Sequence, residues 1–208
     1  MKILIGCEES QAICKAFRER GFEAYSCDLL PCSGGHHEWH FQMDLFEAVK
    51  KEKWTLGVFH PSCTFLAVSG ARWMYNKDGS INEERKKNQE DSLNFVRKIM
   101  ELDIPHIAIE NPISVISTKI RKPDQIIQPW QFGDSASKAT CLWLKNLPKL
   151  IPTKVVDKGE FVTFNSGRRM SKWMAELRGN GHLRSKTFLG IASAIAEQWG
   201  DFIRSKYE

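Results

Sequence analysis

Short apolar runs alternate with stretches of helical character through the first half of the chain. Residues 3–6 are apolar up to a glycine, residues 11–20 read as a helix, residues 23–27 and 55–59 are again apolar runs, and residues 45–53 are helical between them. This βαβ rhythm predicts a mostly parallel sheet flanked by helices. Gly21, directly after Arg18-Glu19-Arg20, predicts a helix end, because glycine enters the left-handed region without steric cost. Residues 82–102 carry charge on one side and Leu93, Phe95, Val96, Ile99 and Met100 on the other, which predicts a long amphipathic helix crossing over to the run at 104–109. Beyond Pro112 the rhythm breaks. Pro123, Pro129, Pro148 and Pro152 punctuate the chain, and only residues 140–144 read firmly as a strand, so loops and a less regular sheet edge are expected there. Residues 190–205 read as a final helix with Ile191, Ala194, Ile195, Trp199 and Phe202 toward the core.

With 208 residues, 42% of them hydrophobic, the chain suits one soluble domain with a sizeable core. The apolar stretch at Met1 to Gly6 is too short for a signal peptide, and no stretch approaches the roughly 20 residues that span a bilayer. Six irregularly spaced cysteines then point to reduced thiols and a cytoplasmic location rather than a disulfide framework. The net charge of +5 is uneven, with Arg168, Arg169, Lys172, Arg178, Arg184 and Lys186 gathered late in the chain, where a phosphate-rich partner could bind.

Chemistry collects at the ends of the apolar runs. Cys63 follows the run ending at Phe59, in His60-Pro61-Ser62-Cys63, and Glu110-Asn111-Pro112 follows the run ending at Ile109. Two strand ends of this kind place a thiol and a carboxyl in one cleft at the carboxyl edge of an open α/β sheet. A thiolate that adds to C6 of a pyrimidine makes C5 a carbon nucleophile, and an acid at N3 assists the addition; Cys63 and Glu110 have the types required. The plainer alternatives are a buried structural thiol and a carboxylate capping a helix. The turn Gly6-Cys7-Glu8-Glu9-Ser10 follows the first run where nucleotide-binding folds offer backbone amides, but its two glutamates would repel a pyrophosphate and favour S-adenosylmethionine over NAD. Asp28 stands where such folds hold a ribose, and Asp44 either faces an adenine or caps the next helix. Cys27, Cys32, His36, His37 and His40 are dense enough for zinc but match no familiar spacing, so no metal is expected. The tryptophans are mostly explained by packing; Trp73, close after the thiol, could stack on a base.

Taken in order, these segments resemble the DNA (cytosine-5) methyltransferases, in particular compact phage-type members. Gly6, Cys7, Glu8, Glu9 and Ser10 stand for the first cofactor motif, and Asp28 and Asp44 for the ribose and adenine contacts. Pro61 and Cys63, followed by Ser69-Gly70, stand for the nucleophile loop. Glu110-Asn111-Pro112 stands for the acidic motif, Lys138 leading into residues 140–144 for the basic motif and its strand, and residues 190–196, with Ser193, for the terminal motif beside the cofactor. The resemblance implies a Rossmann-like methyltransferase fold and S-adenosylmethionine as donor. It also implies a covalent Cys63 adduct, Glu110 and Lys138 as catalytic groups, and DNA contacts from Ser69, Arg72, Trp73, Arg168, Arg169 and Lys172. The sequence departs from the family pattern at Ser62, Thr64, Lys138 and Ile191. Residues 150–186 are short for a recognition element, so specificity is brief, absent or supplied by a partner protein. The alternatives are C5 modification of a pyrimidine nucleotide or RNA, and a catalytically silent nucleic-acid-binding protein.

Overall fold

The computed structural model describes residues 1–167 and 169–208. The chain opens with β1 (Lys2–Gly6), α1 (Ala12–Glu19) and β2 (Glu23–Asp28), and continues through a 3-10 turn at His37–Trp39 into β3 (His40–Gln42). Next come α2 (Leu45–Val49), β4 (Leu56–Phe59), a 3-10 segment at Val68–Met74, α3 (Glu83–Met100) and β5 (His106–Pro112). A short α4 (Ile116–Lys119), β6 (Gln125–Ile127) and β7 (Thr140–Lys145) complete the main sheet. The remainder is β8 (Phe161–Thr163), β9 (Arg169–Ser171), α5 (Lys172–Glu176), α6 (Gly181–Ser185) and the long α7 (Leu189–Tyr207).

Seven strands form one sheet in the order β3-β2-β1-β4-β5-β7-β6. The first five are parallel, and β7 runs antiparallel between β5 and β6. This is the α/β, Rossmann-like class expected from the sequence, a mostly parallel sheet flanked by helices. Strand alternation sends side chains to two cores. Ile3 and Ile5 of β1 join Phe17 of α1 and Trp199 of α7 on one face; Leu4 joins Leu93, Val96 and Ile99 of α3 on the other. Because both faces are covered, the central strands read as continuous apolar runs rather than alternating ones. β8 and β9 pair with each other as a separate antiparallel ribbon.

Three boundaries differ from expectation. The second helix stops at Val49 rather than near residue 53, where the Trp54 indole N–H donates to the Val49 carbonyl at 2.9 Å and folds the chain back. β5 runs through Glu110, Asn111 and Pro112, because β7 pairs with each of them. Strands β3 and β6 are only three residues each, too short to leave a period-2 signal. Gly21 does end α1, with φ of 81°. No helix among the described residues is long and apolar enough to cross a membrane.

The start of α7 is set from outside the helix. Its N-cap residue Phe188 makes no side-chain cap, and the Asp134 carboxylate instead accepts the Gly190 N–H at 3.0 Å. Gly190 lies against the Phe132 carbonyl so closely that a Cβ would collide with backbone. Alanine normally improves a helix interior by up to about 1 kcal/mol over glycine, but overpacking against fixed backbone costs about 1–3 kcal/mol. Gly190→Ala is therefore expected to lower stability, measured as a drop in the urea midpoint at unchanged slope; an unchanged or raised midpoint would show that this contact yields.

Candidate active site

The direction of chain progression reverses between β1 and β4: β2 and β3 lie on one side of β1, and β5 and β7 on the far side of β4. Ligands of open α/β sheets bind outside the carboxyl ends of the strands at this switch point. Here the flanking segments are Gly6-Cys7-Glu8 and His60-Pro61-Ser62-Cys63, joined by the His60 N–H donating to the Gly6 carbonyl at 2.9 Å. The parallel register pairs Phe59 with Ile109, so the next residues, His60 and Glu110, emerge side by side.

His60 Nδ1 and Glu110 Oε2 are 3.0 Å apart, with side chains only 11% and 17% exposed. Burial opposes charge on His60, but the hydrogen bond and charge of Glu110, with Glu8 adding, outweigh it and hold the imidazole above its usual pKa. Burial likewise works against ionised Glu110, and His60 followed by Lys138 overcomes it, so the carboxyl sits below its usual value. The Lys138 ammonium donates to the Arg184 carbonyl at 3.0 Å. A small cavity behind the pair is walled by Thr140, Thr187, Phe188, Ile191 and Ile195.

Cys63 is half-buried on a loop held from several sides. Its carbonyl accepts from the Leu66 and Ala67 amides at 3.1 and 2.9 Å, and the Ser62 hydroxyl donates to Thr64 Oγ1 at 3.1 Å. From α3, Arg85 donates to the Thr64 carbonyl at 3.1 Å and Gln89 to the Phe65 carbonyl at 3.0 Å. Buried Asn111 donates to the Pro61 carbonyl at 2.7 Å, which ties the exit of β4 to β5. Burial, then the Glu110 charge, raises the Cys63 thiol above its usual value, while Lys138 and Arg184 pull it down. The net shift disfavours the thiolate, the form in which a cysteine is reactive.

The β1–α1 turn is built without glycine where the backbone is left-handed. Cys7 and Gln11 have φ of 60° and 57°. Gln11, fully buried, donates to Ser26 Oγ at 3.2 Å and the His36 carbonyl at 2.8 Å and accepts the His36 N–H at 3.1 Å. Glu8 is 4% exposed and turned inward, accepting the Ile13 and Cys14 amides at 2.7 and 3.3 Å as the cap of α1. Glu9 and Ser10 remain partly exposed beyond it. Asp28 accepts from the Leu30 N–H at 3.0 Å through one oxygen, and Asp44 caps α2 through Phe46 and Glu47 at 2.8 and 3.3 Å. Burial, then the charges of Asp28, Cys27 and Asp44, push the Cys7 thiol up to about 12. An acidic rim of this kind fits a ligand with a positive centre and hydroxyls better than a pyrophosphate.

Other candidates fall outside this cleft. Ser193 is exposed on α7, on the face opposite Ile191 and Ile195. Ser69, Arg72 and Trp73 lie on the exposed 3-10 segment, Trp73 being 56% exposed with the Arg72 guanidinium 4.5 Å from its ring centre. Arg169 covers the Phe161 ring, and Lys172 pairs with Glu160 at 2.7 Å. Arg168 lies outside the described residues. In the Cys/His loop, Cys32 Sγ is 3.3 Å from His37 Nδ1, His36 stacks on Trp39, and His40 binds Ser26 and the Leu30 carbonyl. No group of three or more His, Cys, Asp or Glu among the described residues could hold a metal ion. Sequence reasoning passed over His60 itself. The signal was its position one residue beyond a fully apolar strand, level with Glu110.

Two expectations follow from this geometry. Removing the Glu110 charge lowers the Cys63 pKa and removing Lys138 raises it, so at pH 7 alkylation of Cys63 by iodoacetamide, followed by peptide mass spectrometry, should be faster in Glu110→Gln and slower in Lys138→Ala. Equal rates in all three proteins would show that the charges do not reach the thiol. Gln11→Gly would relieve about 1 kcal/mol of left-handed strain but forfeit three hydrogen bonds of about 1 kcal/mol each, so a net loss of about 1–2 kcal/mol is expected in urea melts.

No family model matches the chain, and no curated protein does. Among solved structures, a match is a protein described as a DNA modification methyltransferase encoded within a prophage of E. coli, with a TM-score of 0.47 and 11% identity. The alignment covers 84% of this chain and 63% of that one, so this chain spans less than two thirds of that protein's length.

Proposed function

We propose that the protein transfers a methyl group from S-adenosylmethionine to C5 of cytosine in DNA through a covalent adduct of Cys63 at C6. The observation that carries this reading is that the Cys63 loop and Glu110 leave the ends of adjacent parallel strands beside the switch point, close enough for the Glu110 charge to act on the thiol. On this reading Gly6, Cys7, Glu9, Ser10, Asp28 and Pro61 would hold the cofactor, whose sulfonium supplies an electrophilic methyl group when bound. Glu8 and Asp44 support it from beneath as helix caps.

On this reading the target base leaves the duplex stack, because C6 is reached only from above the ring. Cys63 adds to C6, the Glu110 carboxylate faces N3 and Lys138 balances charge in the cleft. Ser69, Arg72 and Trp73 contact the strand near the thiol loop, with Trp73 offering a face on which a base can stack. Residues 150–186 form a short recognition segment in which Arg169 and Lys172 meet phosphates, and a separate protein supplies any longer sequence preference.

Nucleoside mass spectrometry of DNA, RNA and free nucleotides from cells expressing the wild type or Cys63→Ala tests the proposal. The expected result is 5-methylcytosine in DNA with the wild type and none with Cys63→Ala. A Cys63-dependent product confined to RNA or nucleotides would change the substrate, and no such product in any pool would sink the enzymatic reading. In DNA-binding titrations, Arg169→Ala should weaken affinity on all sequences alike and reduce the slope of log K against log salt by about 1.

A further inference from the structure

His60 is hydrogen-bonded to one carboxylate and within reach of the charge of a second. Nδ1 meets Glu110 Oε2 at 3.0 Å, while Nε2 is buried with no hydrogen-bond partner among the described residues; the Glu8 charge also favours the protonated ring, although burial raises the pKa of Glu8 itself. Both Glu8 oxygens are held by the amides that open α1, so its position is fixed by the helix. The charged groups facing the imidazole are Glu110 from β5, Glu8 from the β1–α1 turn and Lys138 from the segment before β7. The α7 side of the same cavity is apolar, with Ile191 and Ile195. His60, then Lys138, outweigh burial and hold the Glu110 carboxyl below its usual pKa, while the imidazole beside it is held above its own.

We propose that His60 and Glu110 work as one acid, in which a proton resident on His60 Nδ1 passes through Glu110 to N3 of the target cytosine as Cys63 adds. The proposal rests on the cytosine reading and assigns its proton source. Cys63 first loses its proton to water. The thiolate then forms the S–C6 bond, the C5–C6 double bond shifts to C4–C5, and the C4–N3 π pair takes up the proton at N3. Glu110 ends as a carboxylate and His60 as a neutral imidazole, so the negative charge that entered on sulfur ends on the pair. Glu110 touches the base; His60 is the positioning residue and proton store behind it.

The test combines an imidazole titration with pH–rate profiles. By NMR of histidine-labelled protein, His60 should titrate above the ordinary imidazole range in the wild type and fall below it in Glu110→Gln, where burial and the Lys138 charge oppose the proton and only the Glu8 charge favours it. On duplex DNA, the wild-type kcat should fall as pH rises through that raised value. His60→Gln and His60→Asn should each lower kcat about 100-fold with little change in KM for DNA. They should also move the alkaline fall toward acid, because Glu110 must then bind the proton itself. Thermal melts establish that the variants fold, and if one does not, the other and the titration decide. A His60 titration indifferent to Glu110→Gln, or a folded His60 variant with unchanged kcat and alkaline limb, overturns the proposal. Wild-type protein that methylates no cytosine overturns the cytosine reading and with it the transfer to N3, while the titration still reveals whether the pair holds a proton, so the two failures are told apart.

Discussion

The register between β4 and β5 is the constraint on which the site depends. Pairing Phe59 with Ile109 places His60 level with Glu110, and Asn111, one step further, reaches back to the Pro61 carbonyl. A slip of one residue would turn Glu110 to the opposite face of the sheet and separate the pair. The register is held by burial on both faces. Leu56, Val58 and Ala108 pack toward α1 and α7, and Phe59, Ile107 and Ile109 toward α3. The chemistry at the sheet edge is therefore positioned by apolar packing several ångströms below it.

The turn after β1 follows a different logic. Two non-glycine residues with left-handed backbone are unfavourable in isolation by about 1–2 kcal/mol each. Gln11 is compensated by its bonds to Ser26 and His36, which fasten the loop after β2 over the turn. Gly34 is required there because a Cβ would meet the Gln11 side chain and the Ser10 carbonyl. A glycine-rich turn would leave backbone open to a phosphate. This turn is closed by side chains and rimmed with carboxylates, in keeping with a ligand recognised by positive charge.

Much of the fold was legible in the sequence because its signals are local. Residues 3–6, 56–59 and 107–109 are buried on both faces and so appear as unbroken apolar runs, and α3 and α7 are long enough for their periodicity to show. β3, β6 and the extension of β5 through Pro112 were not legible, since three residues carry no period and the extension exists only because β7 pairs with it. In the site, Cys63 and Glu110 stood out by chemical type at strand ends. His60 did not, because its pairing with Glu110 depends on which strand lies beside β4, a fact of topology rather than of neighbouring residues. Glu8 shows the converse, a carboxylate in the first cofactor motif that is engaged by the amides of α1, while Asp44 takes the capping place that the sequence held open beside an adenine contact.

The same brevity that hid β3 and β6 from the sequence has a consequence for the behaviour of the protein in concentrated solution. They are the two outer strands of the sheet, and each offers only three residues of unpaired backbone to a neighbouring molecule. β6 is further bracketed by Pro123 and Pro129, which have no N–H to offer a strand docking alongside. Long open edges invite intermolecular strand addition and aggregation, whereas truncated, proline-flanked ones resist it. A seven-stranded sheet with so apolar an interior thus ends on both sides in margins too small to template another chain.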